Sequence, residues 1–274
     1  MNKRRDIARE AIMTAGDLVG KMFRKGEKGG IEIKGRNDFV TGVDRDSEKI
    51  IKDKLQSSLP DIPFLAEESG SRMTDSEYWI IDPLDGTTNF IHGYQSVGVS
   101  IALLREGEVE LGMVLDPLRG ELFEAVRGGG ASCNGERISV SDVAGLEDAL
   151  IGTGFPFRAH QHLDIYLAVF RDIFVRCAGM RRAGAAVLDL AHTAAGRLDG
   201  FWEMYLKPWD MAAGALILEE AGGQVTDFFG TGGYLSSGNI VAGPASVHRA
   251  LLSVTEKKVP AESIADLCND LIGR

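Results

Sequence analysis

Two aspartates three residues apart, Asp82 and Asp85, sit in the stretch WIIDPLDGTTNF from Trp79 to Phe90. In general a D-x-x-D pair is a solvated or capping turn. Here the apolar WII triplet predicts a buried strand, so both carboxylates emerge at a strand end, where sheet proteins often place ligands. Buried unpaired carboxylates are costly, and two together raise one another's pKa unless a cation neutralises them. A divalent metal resolves that repulsion. Pro83 stiffens the turn between the pair, while Gly86, Thr87 and Thr88 supply flexible backbone, hydroxyls and free N–H groups at a possible helix start. Such groups suit a phosphate, itself a ligand of the same metals.

Two further acidic points join this cradle. FLAEESG carries Glu67 and Glu68 after a short apolar strand, and PWDMAAG puts Asp210 at a predicted helix N-cap. Taken alone, Asp210 is a capping residue and Glu68 a solvated neighbour. A set of carboxylates and carbonyls selects Mg²⁺ or Mn²⁺ rather than zinc, and needs no histidine.

The elements that must position these residues follow from periodicity. Ile7, Ala8, Ala11, Ile12, Ala15, Leu18, Val19 and Met22 keep a 3.6-residue period and predict a first helix ending before GEKGG; a second is expected over Ser47 to Leu59. From Tyr78 to Val126, YWIID, SVGVSIALL, VELGMVLD and ELFEAV read as an antiparallel meander with tight REGE and PLRG turns, and RGGGASCNGERISVS adds a loop and a short strand. Beyond about residue 145 the pattern alternates. Strands at ALIGTG, GFWEM and GQVTDF are interleaved with helices over Leu163 to Val175, AAVLDLAHTAAG and DMAAGALILEEAG. Such alternation predicts a layered α+β or α/β sandwich, with an N-terminal half over residues 1–145 and a C-terminal half over 146–274. A last helix is expected from about Ala261.

AEESG, WIIDPLDGTTNF and PWDMAAGALILEEAGG, in this order and spacing, resemble the three signature segments of the inositol monophosphatase family. DFVTGVDRDSE, DPLRGELFEAVRGGGASCNG, TGFPFR and AAGRLDGFWE extend the resemblance from the first helix to about Gly243. It implies the αβαβα fold shared with fructose-1,6-bisphosphatase, and a lithium-sensitive, Mg²⁺-dependent phosphatase. By position it implies that Glu67, Asp82 and the Leu84 carbonyl hold one Mg²⁺, and that Asp82, Asp85 and Asp210 hold a second. Thr87, paired with Asp44, joins Glu67 in orienting the attacking water, and Gly86 and Thr87 present N–H groups to phosphate. Asp85, Ala186, Glu203 and Asp210 fall where the family contacts inositol hydroxyls. Ala185 departs from the serine or threonine of many relatives, and Lys34 is assigned no role. Homodimers are common among relatives, so a homodimer is expected.

Composition bounds the rest. With 274 residues, 44% hydrophobic and 26% charged, the chain can bury a large core. Its apolar runs are far shorter than the roughly 18 residues a membrane span needs. The N-terminus reads directly into the first helix without a cleaved signal, which makes the cytoplasm the default address. A net charge of −10 argues against general nucleic-acid binding, whereas a metal can bridge the protein to an anionic substrate. Cys133, Cys177 and Cys268 form no CxxC pair and are expected to be buried thiols. His160 and His162 read as a surface loop and His92 as structural. RGGG at residues 127–130 lacks the Lys-Ser/Thr of a phosphate loop, Arg181 and Arg182 read as surface charge, and EMYLKPW reads as core. Three functions compete: hydrolysis of myo-inositol 1-phosphate and related polyol phosphates; a broader sugar-phosphate or nucleotide 3′-phosphatase, fructose 1,6-bisphosphate included; and a regulatory protein that docks on a larger assembly, with catalysis secondary.

Overall fold

The computed structural model describes residues 1–35, 38–70, 76–157 and 159–260. Helix α1 (Asn2–Lys25) stops at Gly26, and a hairpin of β1 (Ile31–Gly35) and β2 (Asp38–Thr41) leads into α2 (Gly42–Ser58). Strands β3 (Phe64–Ala66) and β4 (Glu77–Asp85) precede the short α3 (Thr87–His92). The predicted meander is present as β5 (Gly98–Arg105), β6 (Glu108–Asp116) and β7 (Glu121–Val126), extended by β8 (Ala131–Cys133) and β9 (Glu136–Arg137). These strands form a seven-stranded sheet in the order β3-β4-β5-β6-β7-β8-β9, antiparallel except where β3 runs parallel to β4.

The rest of the chain builds a second sheet. Its elements are β10 (Leu150–Thr153), α4 (Leu163–Phe174), β11 (Gly179–Arg181), α5 (Ala186–Ala194), β12 (Gly200–Glu203), α6 (Pro208–Glu220), β13 (Gln224–Thr226), α7 (Tyr234–Ser237), β14 (Ile240–Gly243) and α8 (Ala245–Lys258). The order is β11-β10-β12-β14-β13.

Side-chain alternation on the strands generates the layers. Trp79 and Ile81 of β4 face a core shared with α1 and α2, while Ile80 between them faces α5 and α6. Phe201 of β12 joins the α5/α6 core, and the adjacent Trp202 turns to the outer core with α4 and α8. The stack is therefore α1/α2, the larger sheet, α5/α6, the smaller sheet, α4/α8. This is the expected αβαβα sandwich. Covered on both faces, β5 is buried from Gly98 to Leu104 without polar alternation. Helix α6, lying between two sheets, is buried at every residue from Met211 to Leu218.

Several elements differ from the expectations. Helix α2 begins at Gly42 rather than Ser47, because Thr41 caps it: its hydroxyl accepts from the Val43 N–H while Asp44 accepts from the Thr41 N–H. The β1/β2 hairpin, β11, α7, β14 and α8 were not anticipated. The expected helix from Ala261 lies outside the described residues, as does Cys268. Cys133 and Cys177 are half-buried rather than fully buried. No helix among the described residues is long and apolar enough to cross a membrane.

Candidate active site

The Asp82–Asp85 pair is shaped by an irregularity in β4. On an ideal strand, residues three apart point to opposite faces. Here Asp82 pairs with Ser100 and Asp85 with Gly98, so three steps on β4 are matched by two on β5. One extra residue is accommodated, a bulge that brings both carboxylates round to one side, and Pro83 inside it has no ladder hydrogen bond to lose. The Ser47 hydroxyl pins the Pro83 carbonyl at 2.7 Å, and the Leu84 N–H donates to Asp82 Oδ1 at 3.0 Å.

Four other segments converge on this bulge. Glu67 follows β3, which runs parallel to β4, and its N–H bonds the Ile81 carbonyl. Gly86 turns the chain with φ 85°, a left-handed conformation suited to glycine, and starts α3. The hydroxyl of Thr87 donates to Asp44 at 2.9 Å and lies 3.2 Å from the Leu84 carbonyl. From the C-terminal half, the Val187 N–H in the first turn of α5 bonds Asp85 Oδ2 at 2.8 Å. Asp210 is not the N-cap of α6 as expected. It is the third helical residue, and its carboxylate accepts from the N–H of the N-cap residue Lys207 at 2.7 Å.

Together these segments line a cavity of about 410 Å³. Glu67, Asp82, Leu84, Asp85, Gly86, Thr87, Ala186, Glu203 and Asp210 all border it, and Asp44 supports it from behind through Thr87. Asp82 is 1% exposed, and its carboxyl is pushed well above the usual range by burial first, then by Glu67, Asp85 and Asp210. Among the described residues it has no basic partner. A buried acid crowded by three others, beside a backbone carbonyl, is a donor set of hard oxygens that fits a divalent cation. Glu203 is likewise raised well above its ordinary value by burial, then by Asp189, Asp210 and Asp85, with Arg182 opposing.

Sequence reasoning missed four contributors. Asn89, inside the quoted motif, donates its amide to the carbonyls of Ser96 at 2.8 Å and Ala183 at 2.9 Å, tying α3 to the segment before α5. Asp189, 2% exposed, has a carboxyl raised by burial and by Asp85. Gly154 makes room for Glu203: a Cβ there would lie 1.8 Å from Glu203 Oε1. Arg182, read as surface charge, borders the cavity together with Phe155 and Phe157. Only the fold brings these together; the nearest signal was the TGFPFR segment, noted for its resemblance alone.

Other features keep their plain roles. Ala185 is the N-cap of α5 without a side-chain cap bond, as its missing hydroxyl requires. The amides of Gly128 and Gly130 are held by the Glu220 carboxylate, so the RGGG loop is filled from within. His160 to His162 form a short 3-10 turn, with His162 against the Tyr205 ring. His92 is exposed and bonds the Thr88 carbonyl, while Glu68 donates its N–H to Glu48. In EMYLKPW, Met204 and Leu206 are core, but Tyr205 reaches the cavity. The side chain of Lys34 lies outside what the structure describes. Asp116, Glu121 and His192 have potential ligand atoms within 4.8 Å of one another. Arg119 and Arg197 already pair with the two carboxylates, so this knot is charge-matched without an ion.

Comparison with known proteins matches residues 1–260 to the inositol monophosphatase family model. The Nus factor SuhB of Pseudomonas aeruginosa is 47% identical over 261 residues, covering 93% of this chain and 96% of that protein. The crystal structure of the extragenic suppressor protein SuhB from Bartonella henselae superposes with a TM-score of 0.89 at 40% identity, covering 93% of this chain and 99% of that one. The IMPase of Thermotoga maritima gives 0.86 at 35%, covering 96% and 99%.

Proposed function

The chain belongs to the inositol monophosphatase family, and on that premise we propose that it is a Mg²⁺-dependent phosphomonoesterase of myo-inositol 1-phosphate and related polyol phosphates. The observation that carries this reading is the β4 bulge, which turns Asp82 and Asp85 to one side beside Glu67 and Asp210. Glu67, Asp82 and the Leu84 carbonyl would hold one Mg²⁺; Asp82, Asp85 and Asp210 would hold a second, with Mn²⁺ as a substitute. Bound there, such ions supply Lewis acidity, making water a better nucleophile at neutral pH and balancing phosphoryl charge.

The protein's own groups do the rest. The Thr87 hydroxyl donates its hydrogen bond to Asp44, which leaves the hydroxyl oxygen free to accept from the attacking water, with Glu67 as the second acceptor. The amides of Gly86 and Thr87, in the first turn of α3, have no helical acceptor of their own and suit the phosphoryl oxygens. Asp85, Glu203 and Asp210 accept hydrogen bonds from substrate hydroxyls, and Ala186, whose side chain is a methyl, contributes only its main chain. Lithium inhibition belongs to the same reading.

Comparing kcat/KM for myo-inositol 1-phosphate, fructose 1,6-bisphosphate and adenosine 3′,5′-bisphosphate tests it. A clear preference for the inositol ester supports it, and a preference for either of the others moves the assignment to the broader sugar-phosphate or nucleotide 3′-phosphatase. A second reading, regulatory docking with catalysis secondary, is favoured by the name Nus factor carried by the Pseudomonas relative. Rescue of a deletion strain by Asp82→Asn would select it.

The protein is further proposed to be a cytoplasmic homodimer. Leu163, Leu167 and Phe174 form an exposed apolar stripe on α4, and β11 is an edge strand of the smaller sheet. Leu167→Glu is expected to yield monomers in sedimentation analysis.

A further inference from the structure

The first turns of α1 meet the larger sheet at its β7–β9 end, three strands or more from the β4 bulge. Glu124 pairs with Ser132 across β7 and β8, and Ser132 with Arg137 across β8 and β9, so the three side chains share one face. It is the α1 face: Arg9 of α1 bonds Glu124, while Phe123 and Ala125 on either side of it point into the α5/α6 core. There a cavity of about 220 Å³ opens, bordered by Arg5, Glu124, Gly130, Ser132 and Arg137 among others. It shares no lining residue with the cavity beside Asp82.

The charges around it are not balanced. Arg9 spends its guanidinium on Glu124, the one carboxylate among the described residues that border the cavity, and Arg4 spends its own on Glu77 at 2.7 and 3.1 Å. Arg5 and Arg137 do not. Arg5 Nε is buried without a hydrogen-bond partner, and the exposed Asp6 stands 3.6 Å from Nη2 of the same side chain. Among the described residues, neither the Arg137 guanidinium nor the Ser132 hydroxyl makes a hydrogen bond or ion pair. Gly130 leaves the room in which Arg137 lies, since a Cβ there would stand 2.7 Å from the guanidinium carbon. The amides of Gly128 and Gly130 are already taken by Glu220, so the two guanidinium groups are the donors this cavity offers. A buried N–H left unpaired is costly, and two planar forks bordering one cavity are matched in charge and geometry by a tetrahedral oxyanion.

We propose that this cavity is a binding site for phosphate, free or carried on a small ester, with Arg5 and Arg137 as its two donors. The site touches none of the carboxylates around Asp82 and needs no Mg²⁺, so what it holds is not the ester being cleaved.

Isothermal titration calorimetry in a chelator tests it, with inorganic phosphate and glycerol 2-phosphate as probes, on wild type, Arg5→Gln, Arg137→Gln and Asp82→Asn. One phosphate is expected to bind per wild-type chain. Loss of a charge-assisted hydrogen bond predicts a Kd about tenfold weaker in each arginine variant, while Asp82→Asn binds as wild type does. Without phosphate both arginine variants keep the wild-type Tm, because neither side chain gives up a hydrogen bond. Tighter binding of glycerol 2-phosphate identifies an ester as the ligand, and equal or weaker binding identifies the free anion. An unchanged Kd in either arginine variant overturns the inference, as does loss of binding in Asp82→Asn or no binding by wild type.

Discussion

The Thr87 hydroxyl donates to the Asp44 carboxylate at 2.9 Å, joining the first residue of α3 to the first turn of α2. Asp44 also accepts from the Thr41 N–H at 2.9 Å, so one carboxylate closes the capping box of α2 and accepts the hydrogen bond of the first hydroxyl of α3. Its carboxyl is raised by burial, against the pull of these hydrogen bonds. Thr87→Ala and Asp44→Asn are each expected to lower kcat by about a hundredfold or more, the range of a lost acid–base group, while leaving KM near wild type. Steady-state kinetics at saturating Mg²⁺ check this. A double variant no worse than either single one identifies them as one unit.

Glu203 is positioned by the absence of a side chain at Gly154. Gly154→Ala displaces the carboxylate and is expected to raise KM for myo-inositol 1-phosphate by about tenfold, with a smaller effect on kcat. Because the displaced group is the end of a flexible side chain, Tm stays near wild type. A large fall in Tm would instead mean that the backbone has moved.

Asp82, Asp189 and Glu203 are all raised above their ordinary pKa values, chiefly by burial. Each binds protons more tightly folded than unfolded. In metal-free protein they therefore cost stability, and the cost grows as pH rises from the ordinary carboxylate range through the raised values. At Asp82, the one of the three proposed as a ligand, Mg²⁺ competes with the proton. Its stabilisation, about 2.7 kcal/mol at a hundredfold excess over Kd, is expected to be larger at about pH 8 than at about pH 5.5. Thermal melts with and without Mg²⁺ at both pH values decide it; a gain independent of pH would refute the linkage.

His248 follows the opposite sign. It is buried, bonded to the Thr226 hydroxyl at 2.9 Å, and lowered below the ordinary histidine value by burial. The unfolded chain takes up that proton first, so stability falls as pH drops through about 6.5 towards the lowered folded value. His248→Gln should flatten this part of the pH–stability curve, as read by urea denaturation.

What the sequence made legible was local. The WII triplet announced β4, a strand buried on both faces, and the period of Ile7 to Met22 announced α1, a helix buried on one, because each pattern records the burial of a single element. The bulge at Asp82–Asp85 was not legible, since it exists only against Ser100 and Gly98 on another strand. The first turn of helix α2 was not legible either, because Gly42 and Val43 carry little helical signal and the cap depends on Asp44 reaching back to Thr41. The carboxylates of the cradle were found by type and spacing. Asn89, Asp189, Gly154 and Arg182 were not, because each acts through a partner seven to about a hundred residues away.

The central claim is that the Asp82 carboxylate makes this cavity a Mg²⁺-dependent phosphatase site. Phosphate release from myo-inositol 1-phosphate, titrated with Mg²⁺ from zero in wild type and Asp82→Asn side by side, tests it most directly. The expected result is a wild-type rate that rises from nothing and saturates with Mg²⁺, and a variant that melts as a folded protein yet is slower by roughly a thousandfold, the loss of about 4 kcal/mol of transition-state stabilisation. Wild-type turnover in the Asp82→Asn protein, or full wild-type activity in a chelator, would contradict it.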